Sequence, residues 1–523
     1  MPLLSLAVLA AAGSGALWPH LLRYVLPSAA VETLLLLAGT GLVVVGVGTG
    51  CAWLVAAYEF PGRRVLAWAL LLPLAMPTYL VAFAYLDVLH PLGPVQSGLR
   101  AVLGLTDPRA LSLPEVRSLP GCALLIGFVL YPYVYLNARA AFAMQAGVMI
   151  EAARGLGASG MRLFRRVALP MAWPAIAVGG GLALMETLND IGAAEFLGVN
   201  TLTLAVYTTW ITRSSLEGAA QIAFLLLALV ALLLGTERWA RRRCQPASLA
   251  GDSAPERLAR ARLPRLQGIC ATLACLMPVV VGFGIPALHL TVAAVARISE
   301  SGVPVQLGAW AVNSALLAGV ATAVVLSAGL ALAFARRMSG HAGPLRLGSL
   351  GYAVPGTVVA AGLLVPIGAL DNAVDAAARA MFDVSTGLLL SGSGAVLVLA
   401  YAIRFMAVPA GGVDAGYAAM PEVLDDAARG AGAGPGRLLA RVHVPLLGPA
   451  LGAAGLLTFI DCMKELPATL LLRPLQMETL ATAVYGEAAR GTYEDGAVAA
   501  LAIVALGLLP VLLLGMRQHR HSE

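Results

Sequence analysis

The chain has 523 residues, 59% hydrophobic and only 12% charged, with a mean hydropathy of +0.84; this balance excludes a water-soluble globular domain and predicts an all-α polytopic membrane protein. A formal charge of +6 and a pI near 9.1 do not imply nucleic-acid binding, because the arginines sit in short loops between apolar runs, with no basic stripe interleaved with aromatics. Six scattered cysteines (Cys51, Cys122, Cys244, Cys270, Cys275, Cys462) form no C-x-x-C pair and have no histidine at ligand spacing, so neither a disulfide framework nor a metal site is expected.

Crossing roughly 30 Å of hydrocarbon takes about 20 apolar residues at ~1.5 Å each. In chain order the qualifying or nearly qualifying stretches lie near 3–18, 30–57, 65–89, 120–143, 171–191 and 219–237, then near 266–290, 311–335, 347–370, 391–411, 446–466 and 497–515. They predict about 12 transmembrane helices, six and six. The first stretch is short, and Ala10 to Ala16 offers small residues for signal-peptide cleavage; no positive charge precedes it, so a retained helix is expected. Between the sets, Glu237 to Arg265 is charged, contains Pro246, Ser248, Gly251 and Ser253, and has no apolar period, which predicts a flexible linker. The expected division is therefore 1–237, a linker over 238–265, and 266–523.

Most of the 34 basic residues fall in the linker, in the loops around Arg63, Arg154 to Arg166, Arg336 to Arg346 and Arg429 to Arg441, and after the last span. The positive-inside rule places these segments, and both termini, in the cytoplasm of a bacterial inner membrane. Six spans per set make the second set enter the membrane in the same direction as the first, a parallel repeat.

One loop is written twice. Glu151-Ala152-Ala153, Gly157 and Leu169-Pro170 recur as Asp426-Ala427-Ala428, Gly432 and Val444-Pro445, each displaced by 275 residues. Pro77-Thr78 similarly precedes Pro355-Gly356-Thr357, and Ala205-Val206-Tyr207 precedes Ala483-Val484-Tyr485. Each repeated loop can form a short helix whose alanines permit close approach of a partner, with Gly157 or Gly432 turning the chain back to the membrane. An isolated E-A-A triplet reports only helix propensity; two copies at equal spacing predict paired docking sites for a soluble ATPase.

The chain has no nucleotide site of its own in this reading. A phosphate-binding loop needs a lysine after a glycine-rich turn, and the only lysine is Lys464, in Asp461-Cys462-Met463-Lys464-Glu465. No nucleophile–base pair is evident, and the seven histidines lie apart, without the spacing of ligation or catalysis.

Charged residues also interrupt the fifth span of each set. Glu186, Asn189 and Asp190 occupy the positions of Asp461, Lys464 and Glu465, and on a continuous helix each triplet forms one polar face. Rising roughly 24 Å from Pro170 or Pro445, these faces belong to the outer third of the bilayer. Intramembrane ionisable groups usually face an interior or a water-filled cavity, so the triplets are candidates for a translocation pathway or gate; Lys464 clamping the halves together is the structural alternative.

The E-A-A, glycine and hydrophobic-x-Leu-Pro spacing resembles the cytoplasmic signature of permease subunits of type I ABC importers. Glu186-Thr187-Leu188-Asn189-Asp190-Ile191-Gly192-Ala193, the stretch from Met463 to Pro474, and Tyr131-Pro132-Tyr133-Val134-Tyr135 are similar to the ferric-iron branch of these permeases. The second copy departs in Asp426, Val444 and Pro435. The resemblance implies two bundles around a pseudo-two-fold axis, two copies of a cytoplasmic ABC ATPase, a periplasmic or lipid-anchored solute-binding protein, and iron(III) moved by alternating access. It implies no cofactor on this chain, ATP being used by the partner. Thiamine or another small solute is the alternative cargo. A proton-coupled secondary transporter using Glu186, Asp190, Asp461 and Glu465 is the alternative class.

Overall fold

The computed structural model describes residues 2–105, 107, 113–144, 153, 155, 160–243, 260–418 and 420–520. The fold is helical because, in hydrocarbon, a helix satisfies its backbone polar groups within one segment. Seven helices are long and apolar enough to cross a membrane: Leu17–Ala57, Leu119–Ala143, Gly160–Asn189, Leu216–Thr236, Arg265–Ser301, Leu307–Ser339 and Gly356–Phe382. Three further pairs qualify as bent spans, giving up to ten among the described residues. The first expected span is an 11-residue helix, Pro2–Ala12, which rises only roughly 16 Å; Gly13 and Gly15 follow it with positive φ.

The bends fall where the sequence withholds a backbone donor. The third stretch, expected as one helix over 65–89, breaks between Arg63–Ala75 and Thr78–Val88 with a 92° bend. Pro77 has no N–H and disfavours helical geometry at Met76, which is extended at φ −100°, ψ 113°. Its counterpart Pro355 has nearly the same geometry (φ −55°, ψ 142°, against −58°, 139° at Pro77) and likewise starts a helix, Gly356–Phe382. That helix continues past the expected end at 370. Two other pairs bend, Ala395–Phe405 with Ala407–Ala418 by 46°, and Pro435–Leu446 with Gly448–Met463 by 77°.

Positions paired by the recurring motifs share local geometry. Phe164–Ala168 and Leu439–His443 are both π-helical turns. The short helices Gly192–Phe196 and Pro467–Leu472 follow the same interruption. Leu202 N–H donates to Thr33 Oγ1 at 2.9 Å, and Leu480 N–H to Ser314 Oγ at 2.8 Å.

The chain packs as two compact units. One comprises Met1–Gly15, Val206–Phe224 and Val303–Gly486; the other Ala16–Ala205, Leu225–Gly302 and Glu487–Glu523. Each unit therefore draws segments from both sides of the 238–265 stretch. In the first unit Pro2–Ala12 lies on Gly356–Phe382 so closely that a Cβ on Gly362 would stand 2.5 Å from the Pro2 carbonyl oxygen, and Ser14 Oγ donates to Gln221 Oε1 at 2.7 Å. In the second, Leu26–Ala57 packs on Leu119–Met144, where a Cβ on Gly48 would stand 2.8 Å from Tyr131 O; small residues permit this approach. Asp87 bonds His289, Tyr85 donates to Val281 O, and Asp495 pairs with Arg297. These contacts tie the Arg265–Ser301 and Tyr493–Arg520 helices into the second unit.

Linker residues 244–259 lie outside the described residues. The chain that follows them pairs in parallel with the exit of the Leu26–Ala57 helix, Tyr58 opposite Ala261 and Glu59 opposite Arg262, while Glu59 holds Arg63 at 3.0 Å and Arg260 at 3.3 Å.

Candidate docking helix and intramembrane polar sites

Of the repeated loop in the first set, Glu151, Ala152 and Gly157 lie outside the described residues; Ala153 is helical and partly exposed. The second copy is a helix over Val423–Gly430. Asp425 and Asp426 in its first turn and Arg429 in its last oppose the helix dipole, and Arg429 pairs with Asp426 at 3.2 Å. Gly432, at φ +78°, closes it: Gly432 N–H donates to Arg429 O and Ala433 N–H to Ala428 O, the Schellman pattern, which needs a left-handed residue. Asp426 and Ala427 are exposed and Ala428 partly so; Val423 is 73% exposed.

Only one side chain of this helix, Asp425, is buried. Its Oδ2 accepts from Arg337 Nε at 2.8 Å and its Oδ1 meets His443 Nε2 at 2.9 Å. His443 Nδ1 in turn meets Tyr417 OH at 3.0 Å, and the Phe334 ring stands edge-on to the imidazole at 5.6 Å. A carboxylate can only accept, so His443 Nε2 carries a hydrogen toward Asp425. Burial works to raise the Asp425 carboxyl, but the hydrogen bonds and charges of Arg337 and His443 outweigh it and hold the group below its ordinary value of 3.8.

The membrane triplets depart from the single polar face expected of them. The Leu169–Asn189 helix ends at Asn189, and Asp190 is extended at φ −77°, ψ 116°. Its Oδ1 accepts from Ala193 N–H at 2.8 Å, capping Gly192–Phe196. Asn189 and Asp190 are buried while Glu186 is partly exposed, and Thr78 and Glu186 are polar neighbours of Asp190. In the second copy the helix ends at Met463. Glu465 caps Pro467–Leu472, accepting from Ala468 N–H at 2.9 Å, Thr469 N–H at 3.0 Å and Thr469 Oγ1 at 2.7 Å. Each triplet thus straddles a helix end, because its last carboxylate serves the next helix's free donors.

Lys464 pairs with Asp461 at 2.9 Å on its own segment. Glu465 pairs with Arg404, both nearly fully buried. Tyr401 OH meets Thr469 Oγ1 at 2.6 Å. Gly356 fits against this cluster because it lacks a Cβ, which would stand 2.6 Å from Arg404 Nη1 and 2.8 Å from Glu465 Oε1. The helix capped by Glu465 runs into the wall of a cavity of about 400 Å³, lined by Leu364, Leu388, Val396, Leu472, Arg473 and Gln476 among others.

Sequence reasoning passed over Arg404, Arg337, Tyr417, His443 and the role of Asp425. Arg404 was findable as a lone cation inside Tyr401-Ala402-Ile403-Arg404-Phe405. His443 was treated as one more isolated histidine, and its partners lie 18 and 26 positions away. Among the described residues no group of three His, Cys, Asp or Glu side chains is placed to hold a metal ion.

Residues 43–244 match the family described as binding-protein-dependent transport system inner membrane component. The Fe(3+)-transport system permease protein FbpB 2 of Haemophilus influenzae is 23% identical over 491 residues, covering 92% of this chain and 88% of that protein. A putative 2-aminoethylphosphonate transport system permease protein, PhnU, of Salmonella choleraesuis is 30% identical over 202 residues, 38% of this chain and 68% of that protein. The molybdenum transport system permease protein ModB of Escherichia coli is 29% identical over 197 residues, 36% and 82% respectively.

Proposed function

The chain belongs to the family of binding-protein-dependent transport system inner membrane components, and we propose that it is a fused permease carrying iron(III) inward through two equivalent halves. The coarser part of this function is plain: it is the multi-pass inner-membrane subunit of an ABC importer, a transport protein rather than an enzyme, and it works with an ATPase and a solute-binding protein. Iron(III) as cargo is carried by one observation, similarity to an Fe(3+)-transport permease along 92% of the chain, whereas the phosphonate and molybdenum permeases align with little more than a third of it.

In this proposal Glu151, Ala152, Ala153 and Gly157, with Asp426, Ala427, Ala428 and Gly432, seat two copies of an ATPase beneath 1–237 and 266–523. Both loops and both termini face the cytoplasm, and ATP is bound by the partner alone. Closure of the ATPases drives the docking helices together, and the spans turn that motion into opening at the outer face. Glu186, Asn189, Asp190, Asp461, Lys464 and Glu465 line or gate the outer part of the pathway. Their support is position: polar groups at corresponding helix ends inside apolar sequence.

The test is uptake in proteoliposomes holding the chain, its ATPase and its binding protein. Radiolabelled iron(III) is expected to enter only with ATP, uncompeted by molybdate, 2-aminoethylphosphonate or thiamine. Uptake of one of those solutes in place of iron would overturn the cargo. Uptake driven by a proton gradient without nucleotide would overturn the class.

A further inference from the structure

We propose that Asp425, His443, Tyr417 and Arg337 form the positioning relay through which the second docking helix moves its transmembrane spans. The proposal rests on the docking function above and assigns the means of force transfer, which docking alone does not. The Val423–Gly430 helix lies at the surface and buries a single side chain, Asp425. That carboxylate therefore carries its main side-chain grip on the rest of the unit. One oxygen is held by Arg337 at the end of the Leu307–Ser339 helix, the other by His443 in the π-turn of Pro435–Leu446, which joins the Gly448–Met463 helix bearing Asp461 across a 77° bend. Through His443 the grip extends to Tyr417 on Ala407–Ala418, and Arg337 also donates to Tyr417 O at 3.4 Å. Three membrane segments thus converge on one carboxylate.

The bonds are directional and buried, with His443 and Asp425 both shielded from solvent, so displacement of the docking helix strains them rather than being absorbed by water. A hydrophobic contact would slide. The first set is built differently: 275 positions before Tyr417 and His443 stand Phe142 and Ala168, and Phe142 packs edge-on against Trp53 at 5.3 Å, with Phe164 also 5.3 Å from Trp53. Ile150, the counterpart of Asp425, cannot accept a hydrogen bond and lies outside the described residues. The polar relay is thus a property of the second copy.

The experiment uses the full chain assembled with its ATPase and binding protein in proteoliposomes, and needs no knowledge of the solute. It reads the ATPase retained, the apparent melting temperature, and the factor by which binding protein stimulates ATP hydrolysis. Asp425→Asn and His443→Phe should stay folded and retain the ATPase, melting only somewhat below the parent, yet lose about tenfold in stimulation, with Asp425→Glu recovering part of it. Unchanged stimulation in both variants would overturn the relay and leave docking standing. Parallel loss of melting temperature and ATPase would also overturn it, reducing the network to a structural brace. Val423→Asp, on the exposed face, separates the premise: if that variant holds its ATPase as the parent does, docking at this helix is wrong and the relay falls with it.

Discussion

A buried cation is tolerable only beside its counter-charge, and Arg404 shows how much arrangement that takes. Its guanidinium meets Glu465, which also accepts two backbone N–H groups and the Thr469 hydroxyl, while Gly356 leaves room for all of them. Removing one partner of a buried pair strands the other and costs ~3–5 kcal/mol, whereas removing both costs far less. Arg404→Met should therefore lower the apparent melting temperature in detergent more than Arg404→Met with Glu465→Gln, although the double variant still loses part of a helix cap worth ~1 kcal/mol. A single variant melting with the parent would mean the pair is not formed. Gly432 poses the same kind of constraint in the backbone. A valine there must hold a positive φ at a cost of roughly 1–2 kcal/mol or more, and the residues before it would lose their Schellman closure. Gly432→Val should leave the spans intact by melting temperature while uncoupling ATP hydrolysis from uptake; normal transport would contradict the role given to this turn.

At the scale of elements, the Val423–Gly430 helix proposed for docking is held by ionised groups, so its attachment is a function of pH. Asp425 titrates below the ordinary carboxylate range in the folded protein. A group so depressed contributes stability that is fully present above the unfolded value, about 3.8, and is lost as pH falls through the folded one. A spin label on Val423→Cys, an exposed position, should report constant mobility from neutral pH to about 4 and rising mobility below it. Mobility rising well above that pH would show that Asp425 is not what holds the helix. The Val423–Gly430 helix was legible in advance, because a short alanine-containing motif followed by glycine specifies both its existence and its turn. Its anchorage was not. Hydrogen bonds joining Asp425 to positions 337 and 443 depend on packing of distant segments, and no local period records them. The polar membrane triplets misled for a related reason: spacing of three and four fits one helical face only if the helix continues, and Asp190 and Glu465 instead cap the helices that follow. The break in the third span, by contrast, was available from Pro77 and the restriction it imposes on Met76.

For the whole molecule, hydropathy identified a membrane protein and recurring motifs point to two copies, but neither says which segments pack together. The compact units do not coincide with the two stretches flanking the linker. One combines 303–486 with 1–15 and 206–224, the other 16–205 with 225–302 and 487–523. The covalent joint is then less important than the exchange of segments, since each unit is incomplete without chain from the other side of residues 244–259. Severing the chain inside that stretch and expressing both pieces together should yield a complex that survives detergent purification and melts near the intact protein. Loop closure costs grow only slowly with length, while the exchanged helices bury packed, glycine-mediated contacts such as Pro2 on Gly362 and Gly507 on Ala75. The piece ending before the cut, expressed alone, should aggregate or be degraded, because it lacks Arg265–Ser301 against Asp87 and Tyr85 and Tyr493–Arg520 against Ala75. Were that piece monodisperse alone with the parent's melting temperature, the exchange of segments would not be what holds the molecule together.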